Sequence, residues 1–226
     1  MKPEIQKFLE TRESSRAKRP SIKYRKGGFE VVIPEKMDLD AGRFVDQNMD
    51  WIKKHMPRAR EYRDKTPERN FQEGGKISVL GTEREIRIEK RRTGKITENK
   101  IFLAEYLVER NSVKERVREN LKKFARKVFE KKSQKFSEDI NGEFKKIFLK
   151  SQETRWGSCS GKNNLNFNWR LILGPEKVLD YVVVHELVHL EISNHGENFW
   201  KRLKEILPDY RSSKQWLDEN PAKLEF

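Results

Sequence analysis

Three of the four histidines in this 226-residue chain fall within eleven residues: His185, His189 and His195. His185 and His189 are four apart in a strongly helical stretch, so at 3.6 residues per turn they project from one face, about one turn apart. Two imidazoles so placed can bind one zinc ion at about 2.0–2.1 Å each. Glu186 is rotated about 100° from His185. It is poorly placed as a further ligand but can reach a water bound to the metal. The pattern is H-E-x-x-H, the helix signature of zinc hydrolases.

A catalytic zinc needs a third protein ligand and keeps its fourth position for water. His195 is the candidate. Ser193-Asn194 can break the helix, and asparagine tolerates a left-handed conformation, so the chain can turn back and present His195. Glu191 is the weaker competitor, because it projects to another side of the helix. The competing reading of each histidine is a hydrogen-bonded core residue. Three histidines and a glutamate would then coincide by chance in a histidine-poor chain. The expected cofactor is one Zn2+, with another divalent metal as the alternative. The expected chemistry is attack of a zinc-bound water on a carbonyl, with Glu186 as the catalytic general base. Substrate-binding residues are not legible, although Arg155 and Arg170 are candidates for holding an anion. Cys159 reads as a small buried hydrophobe rather than as a metal thiolate.

The motif needs elements to hold it. Leu165, Phe167, Trp169 and Leu171 alternate with polar residues, and with the TRWGSCS stretch before them they read as a hairpin. Pro175 opens a helix over about 175–191 that carries the motif. Phe199, Trp200, Leu203, Ile206 and Leu207 suggest a further helix ending at Pro208. Trp156, Trp169 and Phe199 fall on the buried phase of their elements. Upstream, Val113, Val117, Leu121, Phe124 and Val128 predict one long amphipathic helix over 112–136, and residues 143–150 a strand. Earlier still, Ile22 to Ile33 reads as a hairpin. A helix capped by Asp38 runs to about His55, then a loop covers 57–75. Short strands follow at Ile77–Val79, Ile86–Ile88 and Ile101–Leu103. The expected organisation is a flexible basic tail over 1–20, a β-rich unit over 21–109 and a catalytic unit over 110–226.

Composition narrows the partners. Charged residues are 38% of the chain and the formal net charge is +14. Residues 111–150 carry thirteen basic against six acidic side chains, while residues 151–226 carry ten against eleven. A concentrated positive field attracts polyanions. The basic helix at 111–135 is therefore a candidate nucleic-acid contact, the alternative being a solvated lysine-rich face. No apolar run is long enough to span a membrane. One cysteine excludes an internal disulfide, and no secretory signal is visible, which makes a cytoplasmic location the expectation.

The residues Arg155-Trp156-Gly157-Ser158-Cys159, Asn168-Trp169-Arg170-Leu171-Ile172, Tyr181 through His189, Asn194-His195 and Phe199-Trp200 closely resemble the YgjP-like metal-dependent hydrolases, relatives of the SprT/Spartan zinc metallopeptidases. The resemblance is strongest over about residues 140–210. It implies an α+β fold with a zincin-like catalytic unit, a small sheet packed on the H-E-x-x-H helix. It also implies His185, His189 and His195 as metal ligands and Glu186 as general base. Metzincin proteases share the histidine spacing but have glycine where this chain has Ile192, and they need a methionine downstream. All four methionines here lie upstream.

The leading expectation is a zinc-dependent peptidase acting on a polypeptide, with an exposed strand of the 143–159 region pairing with the substrate. By analogy with SprT-like proteins, that polypeptide could be nucleic-acid-associated. The first alternative is a metal-dependent nucleoside triphosphate pyrophosphatase, with a nucleotide as substrate. The second is a nucleic-acid-binding module with a structural metal, which would leave Glu186 without a task.

Overall fold

The computed structural model describes residues 3–226 and divides the chain into two compact units, Met1–Pro67 and Glu68–Phe226. Its architecture is α+β.

The first unit begins with a short helix, α1 (Pro3–Gln6), and the strand β1 (Leu9–Ser14). The strands β2 (Ser21–Arg25) and β3 (Gly28–Pro34) form the expected hairpin. Its turn residues Lys26 and Gly27 have φ of 43° and 70°, the left-handed pair a tight hairpin turn requires. Gly27 is needed there for space as well, since a Cβ would come within 2.9 Å of the Tyr62 ring. The sheet order is β1-β3-β2, with β1 parallel to β3.

Two expectations fail in this unit. The sequence suggests a flexible tail over residues 1–20. Residues 1 and 2 lie outside the described chain, but Leu9–Ser14 is a strand paired along its length with Phe29–Pro34. Its sequence, LETRES, has no apolar alternation because β1 is an edge strand held by its backbone, so a pattern reading cannot see it. The helix expected from Asp38 to His55 is also different. Asp40 caps α2 (Ala41–Gln47) by accepting from the Arg43 amide at 3.0 Å. A second helix, α3 (Met49–Lys65), runs straight through Pro57. Proline removes one helical hydrogen bond, yet Ile52, Met56 and Ala59 bury the helix on both sides of it. Arg63 secures the far end by donating to the Gly27 carbonyl at 2.9 Å.

The second unit holds two sheets. The strands β4 (Lys76–Val79), β5 (Thr82–Glu89), β6 (Lys95–Ile96) and β7 (Lys100–Ala104) pair in the order β4-β5-β7-β6. After a short helix, α4 (Glu105–Val108), comes the long helix α5 (Val113–Ser137). Ser112 caps α5 by accepting from the Glu115 amide at 3.2 Å. The strands β8 (Lys146–Lys150), β9 (Gly157–Cys159) and β10 (Asn164–Asn168) form the second sheet in the order β8-β10-β9. The helices α6 (Glu176–Val188), α7 (Glu197–Ile206) and α8 (Tyr210–Glu219) follow. No helix is long and apolar enough to cross a membrane.

The expected division at residue 109 is thus corrected. Ile77, Val79, Ile86, Ile101 and Leu103 share one core with Val117 and Leu121 of α5 and Val184 of α6. Alternation shows that a strand has a buried face, not which partner buries it. The buried stripe of α5 is Val117, Leu121, Ala125 and Phe129, so Phe124 and Val128, counted in the expected stripe, are only partly buried. The Phe129 ring stacks on Phe167 of β10 with centroids 4.5 Å apart. The hairpin strand also ends sooner than its alternation suggests. The Asn168 side chain accepts from the Arg170 amide at 3.2 Å and turns Trp169–Leu173 into a 3-10 helix.

Candidate metal centre

Helix α6 is buried on nearly every side: Val178, Leu179, Val182, Val183, Val184, Leu187 and Val188 are all core residues. Such a helix has little room for polar side chains without partners. His185 and Glu186 lie in its last turn, and His189 caps its C-terminal end.

The helix stops at Val188, and the chain turns back through a short loop. The Glu191 and Ile192 amides both donate to the Val188 carbonyl, at 3.0 and 2.9 Å. The return does not use a left-handed asparagine, the expected device, since Asn194 is absent from the positive-φ residues. Instead the Asn194 side chain accepts from the Gly196 amide at 3.1 Å, and Gly196 caps α7.

This turn brings the three histidines together. One ring nitrogen from each of His185, His189 and His195 lies within 4.8 Å of the other two. The Nε2 atoms of His185 and His195 are 3.0 Å apart. Two ligands at about 2.0–2.1 Å from a tetrahedral centre would stand about 3.3 Å apart, so this spacing fits a shared metal ion. His189 shares Nδ1 with the Ile192 carbonyl at 3.0 Å, which leaves its Nε2 for the cluster. Burial, with help from His189, His195 and Lys214, pushes the His185 pKa down to about 3, so the imidazole is neutral and offers a lone pair at ordinary pH. The donor set, three imidazoles, suits a borderline-soft divalent ion. Glu191 is not part of it. Its carboxylate accepts from Arg202 at 2.9 Å and from the Asn141 amide at 2.5 Å, and so braces the turn from outside.

Glu186 is 5% exposed and lies against β9. Burial raises its pKa to about 7, against the opposing effects of a hydrogen bond from the Cys159 backbone and the charge of Arg155. Gly157 makes the fit possible. A Cβ there would sit 2.4 Å from Glu186 Oε1, a distance no side chain tolerates. Sequence pattern alone does not single out Gly157, because the requirement arises from a neighbour 29 positions away.

Arg155, an expected anion holder, sends its charge toward Glu186. Arg170 is engaged elsewhere, with the Ser151 carbonyl at 3.3 Å and the Trp169 ring. Burial and the nearby Glu186 raise the Cys159 pKa, which favours the thiol. Phe199, expected in the core, is fully buried and is also the platform for the triad. Its ring centroid lies 4.9, 4.8 and 4.7 Å from those of His185, His189 and His195. Helix α8 and its Lys214 are not legible in the sequence. Its apolar residues, Tyr210, Trp216 and Leu217, follow too closely on Pro208 to stand apart from α7 in the sequence.

The sequence signature of the YgjP-like, metallopeptidase domain family matches residues 18–220. The chain belongs to this family. Among solved structures, this YgjP-like chain is similar to the metallopeptidase zymogen abylysin of Pyrococcus abyssi, at 20% identity, covering 40% of this chain and 89% of that one with a TM-score of 0.35. It is also similar to the zymogen jannalysin of Methanocaldococcus jannaschii, at 22% identity, covering 40% and 94%, with a TM-score of 0.36. No curated protein matches the chain. The YgjP-like protein is a hydrolase of the metallopeptidase type, and its three-histidine cluster can hold a metal ion.

Proposed function

We propose that this protein is a zinc-dependent peptidase in which His185, His189 and His195 hold one Zn2+ and Glu186 is the catalytic general base. The observation that carries the reading is the pairing of a three-imidazole cluster with a separate, buried carboxylate on the same helix. A structural site is closed by four protein ligands and has no use for such a carboxylate. Zinc, when bound, polarises the substrate carbonyl and acidifies a coordinated water.

The chain's own residues do the rest. The Cys159 backbone and Gly157 fix Glu186 in position to take a proton and return it to the leaving nitrogen. Phe199 fixes the rings of the three histidines. The strand β9 has a sheet partner, β10, on one side only. An extended polypeptide pairing with its other edge would lie beside Glu186. This open edge favours a peptide over a nucleotide substrate. Helix α7 and helix α8 flank the other side of the site, with Trp200 within 6.2 Å of the His185 ring and Tyr210 stacked on Trp200.

The test is a comparison of zinc-loaded wild type with Glu186→Gln on unfolded casein and on a nucleoside triphosphate panel. Casein cleavage should fall by about 10²–10⁴ in the variant, with one zinc per chain retained in both by elemental analysis. Triphosphate hydrolysis that disappears with Glu186, without casein cleavage, would replace the peptidase reading with the pyrophosphatase one.

A further inference from the structure

Helix α5 buries one stripe and leaves the opposite face bare. Two open depressions run along that face and adjoin at Phe124 and Lys127, which line both. The first gathers Lys95 of β6 with Lys122, Lys123, Arg126 and Lys127 of α5, against the single carboxylate Glu130. The second gathers Lys131, Lys132 and Lys135 against the single carboxylate Glu176. Both carboxylates are occupied: Glu130 lies 3.6 Å from Arg126 and Glu176 2.5 Å from Lys132. Lys95, Lys123, Lys127, Lys131 and Lys135 are exposed and have no ion pair among the described residues. Arg126 and Lys132 are offset by these pairs, Lys132 by Asp180 as well, and the six cations that remain make this a strongly positive trough rather than a mixed solvated surface.

We infer that the α5 trough binds the phosphate backbone of a nucleic acid. Lys123, Lys127 and Lys131 are spaced four apart, so they form a row along the helix with steps of about 6 Å. From Lys122 to Lys135 the trough extends about 20 Å, the length of about six nucleotides of one strand at 3.4 Å each. A mononucleotide would leave most of the row unused, so the ligand is a polymer. Phe124 is partly buried, with Arg84 over its ring at 5.8 Å, so the trough presents no exposed aromatic on which bases could stack. Recognition is therefore by charge and independent of base sequence. The inference goes beyond the peptidase reading and does not depend on it.

Fluorescence anisotropy of the full chain with a labelled 20-nucleotide strand tests it, with duplex DNA and RNA of the same length as further arms. Five unpaired lysines predict a log K against log salt slope of about −3.5 for single strands and about −4.5 for duplex. The triple variant Lys123→Gln, Lys127→Gln, Lys131→Gln should lose about three-fifths of that slope and bind at least tenfold more weakly. Removing equal charge from the same unit, with Lys201→Gln, Lys204→Gln and Arg211→Gln, should leave both unchanged. Equal loss in the two variants would mean that net charge, not the trough, does the binding. The inference is also overturned if no strand binds at about 50 mM salt, or if a labelled mononucleotide binds as tightly as the 20-mer. Repeating the titration on Glu186→Gln separates it from catalysis, since binding there should match wild type.

Discussion

Helices α5 and α6 pack against each other in one unit and obey opposite rules. Helix α5 has a solvent face, and its charges sit where any amphipathic helix would carry them. Helix α6 has almost none, so each polar residue in it must be held by a partner or be present for chemistry. The contrast explains why a function is easy to read from one helix and hard to read from the other. In α6, His185 and Glu186 conflict with their surroundings, and the conflict is the signal. In α5, lysines agree with their surroundings, and only the trough around them distinguishes a binding face from a wet one.

The largest expected effect breaks the contrast on the α6 side. His185→Ala should abolish stoichiometric zinc binding and reduce peptidase activity to background. It should not unfold the protein, because the imidazole is a neutral group held by packing against Phe199 and Tyr181. Zinc added to wild type should raise its Tm and leave that of the variant unmoved. Full zinc binding by the variant would remove His185 from the ligand set.

The next effect is on stability. Leu187→Ala in α6 and Leu121→Ala in α5 each truncate a fully buried side chain and should each cost about 2–5 kcal/mol. Lys127→Ala, on the open face of α5, should stay within about 0.5 kcal/mol. Urea unfolding of the three variants checks both. A large cost for Lys127→Ala would mean that the lysine row supports the fold.

Gly157→Ala comes third. The new Cβ would collide with the carboxylate of Glu186, which must then shift by an ångström or more. Misplacement on that scale costs about 10²-fold in rate. The expected signature is a fall in kcat with zinc content and KM near wild type. An unaltered kcat would show that Glu186 has other room to work.

These sites also differ in how legible they are in the sequence. The helix that carries His185, Glu186 and His189 is legible because short spacing on a helix dictates a shared face. His195 needed only a turn, and the turn is local. Gly157, Phe199 as the ring platform and Lys214 were not readable as site residues, because each acts on a partner distant in sequence. The same holds for the fold. The hairpin of β2 and β3 and the long α5 follow from local period. The strand β1 and the assignment of β4–β7 to the larger unit depend on pairing that no period reveals. Pro57 misled in the opposite direction: a strong local breaker was overridden by packing on both sides.

The smallest of these effects joins the two helices. Lys132 of α5 reaches Glu176 and Asp180 of α6, at 2.5 and 2.9 Å. Burial pulls its pKa down, but the hydrogen bonds and attraction of the two carboxylates outweigh this and hold it above the ordinary lysine value. A cation with a raised folded-state pKa stabilises the fold fully below its unfolded pKa, about 10.4, and loses that contribution as pH rises through the folded value. Lys132→Met should therefore cost roughly 1.5–3 kcal/mol at pH 8. The gap from wild type should narrow when unfolding is measured at pH 11 or above. A gap that stays constant across that range would assign the loss to packing of the lysine stem rather than to its charge. The polar seam between α5 and α6 would then be incidental to the core beside it.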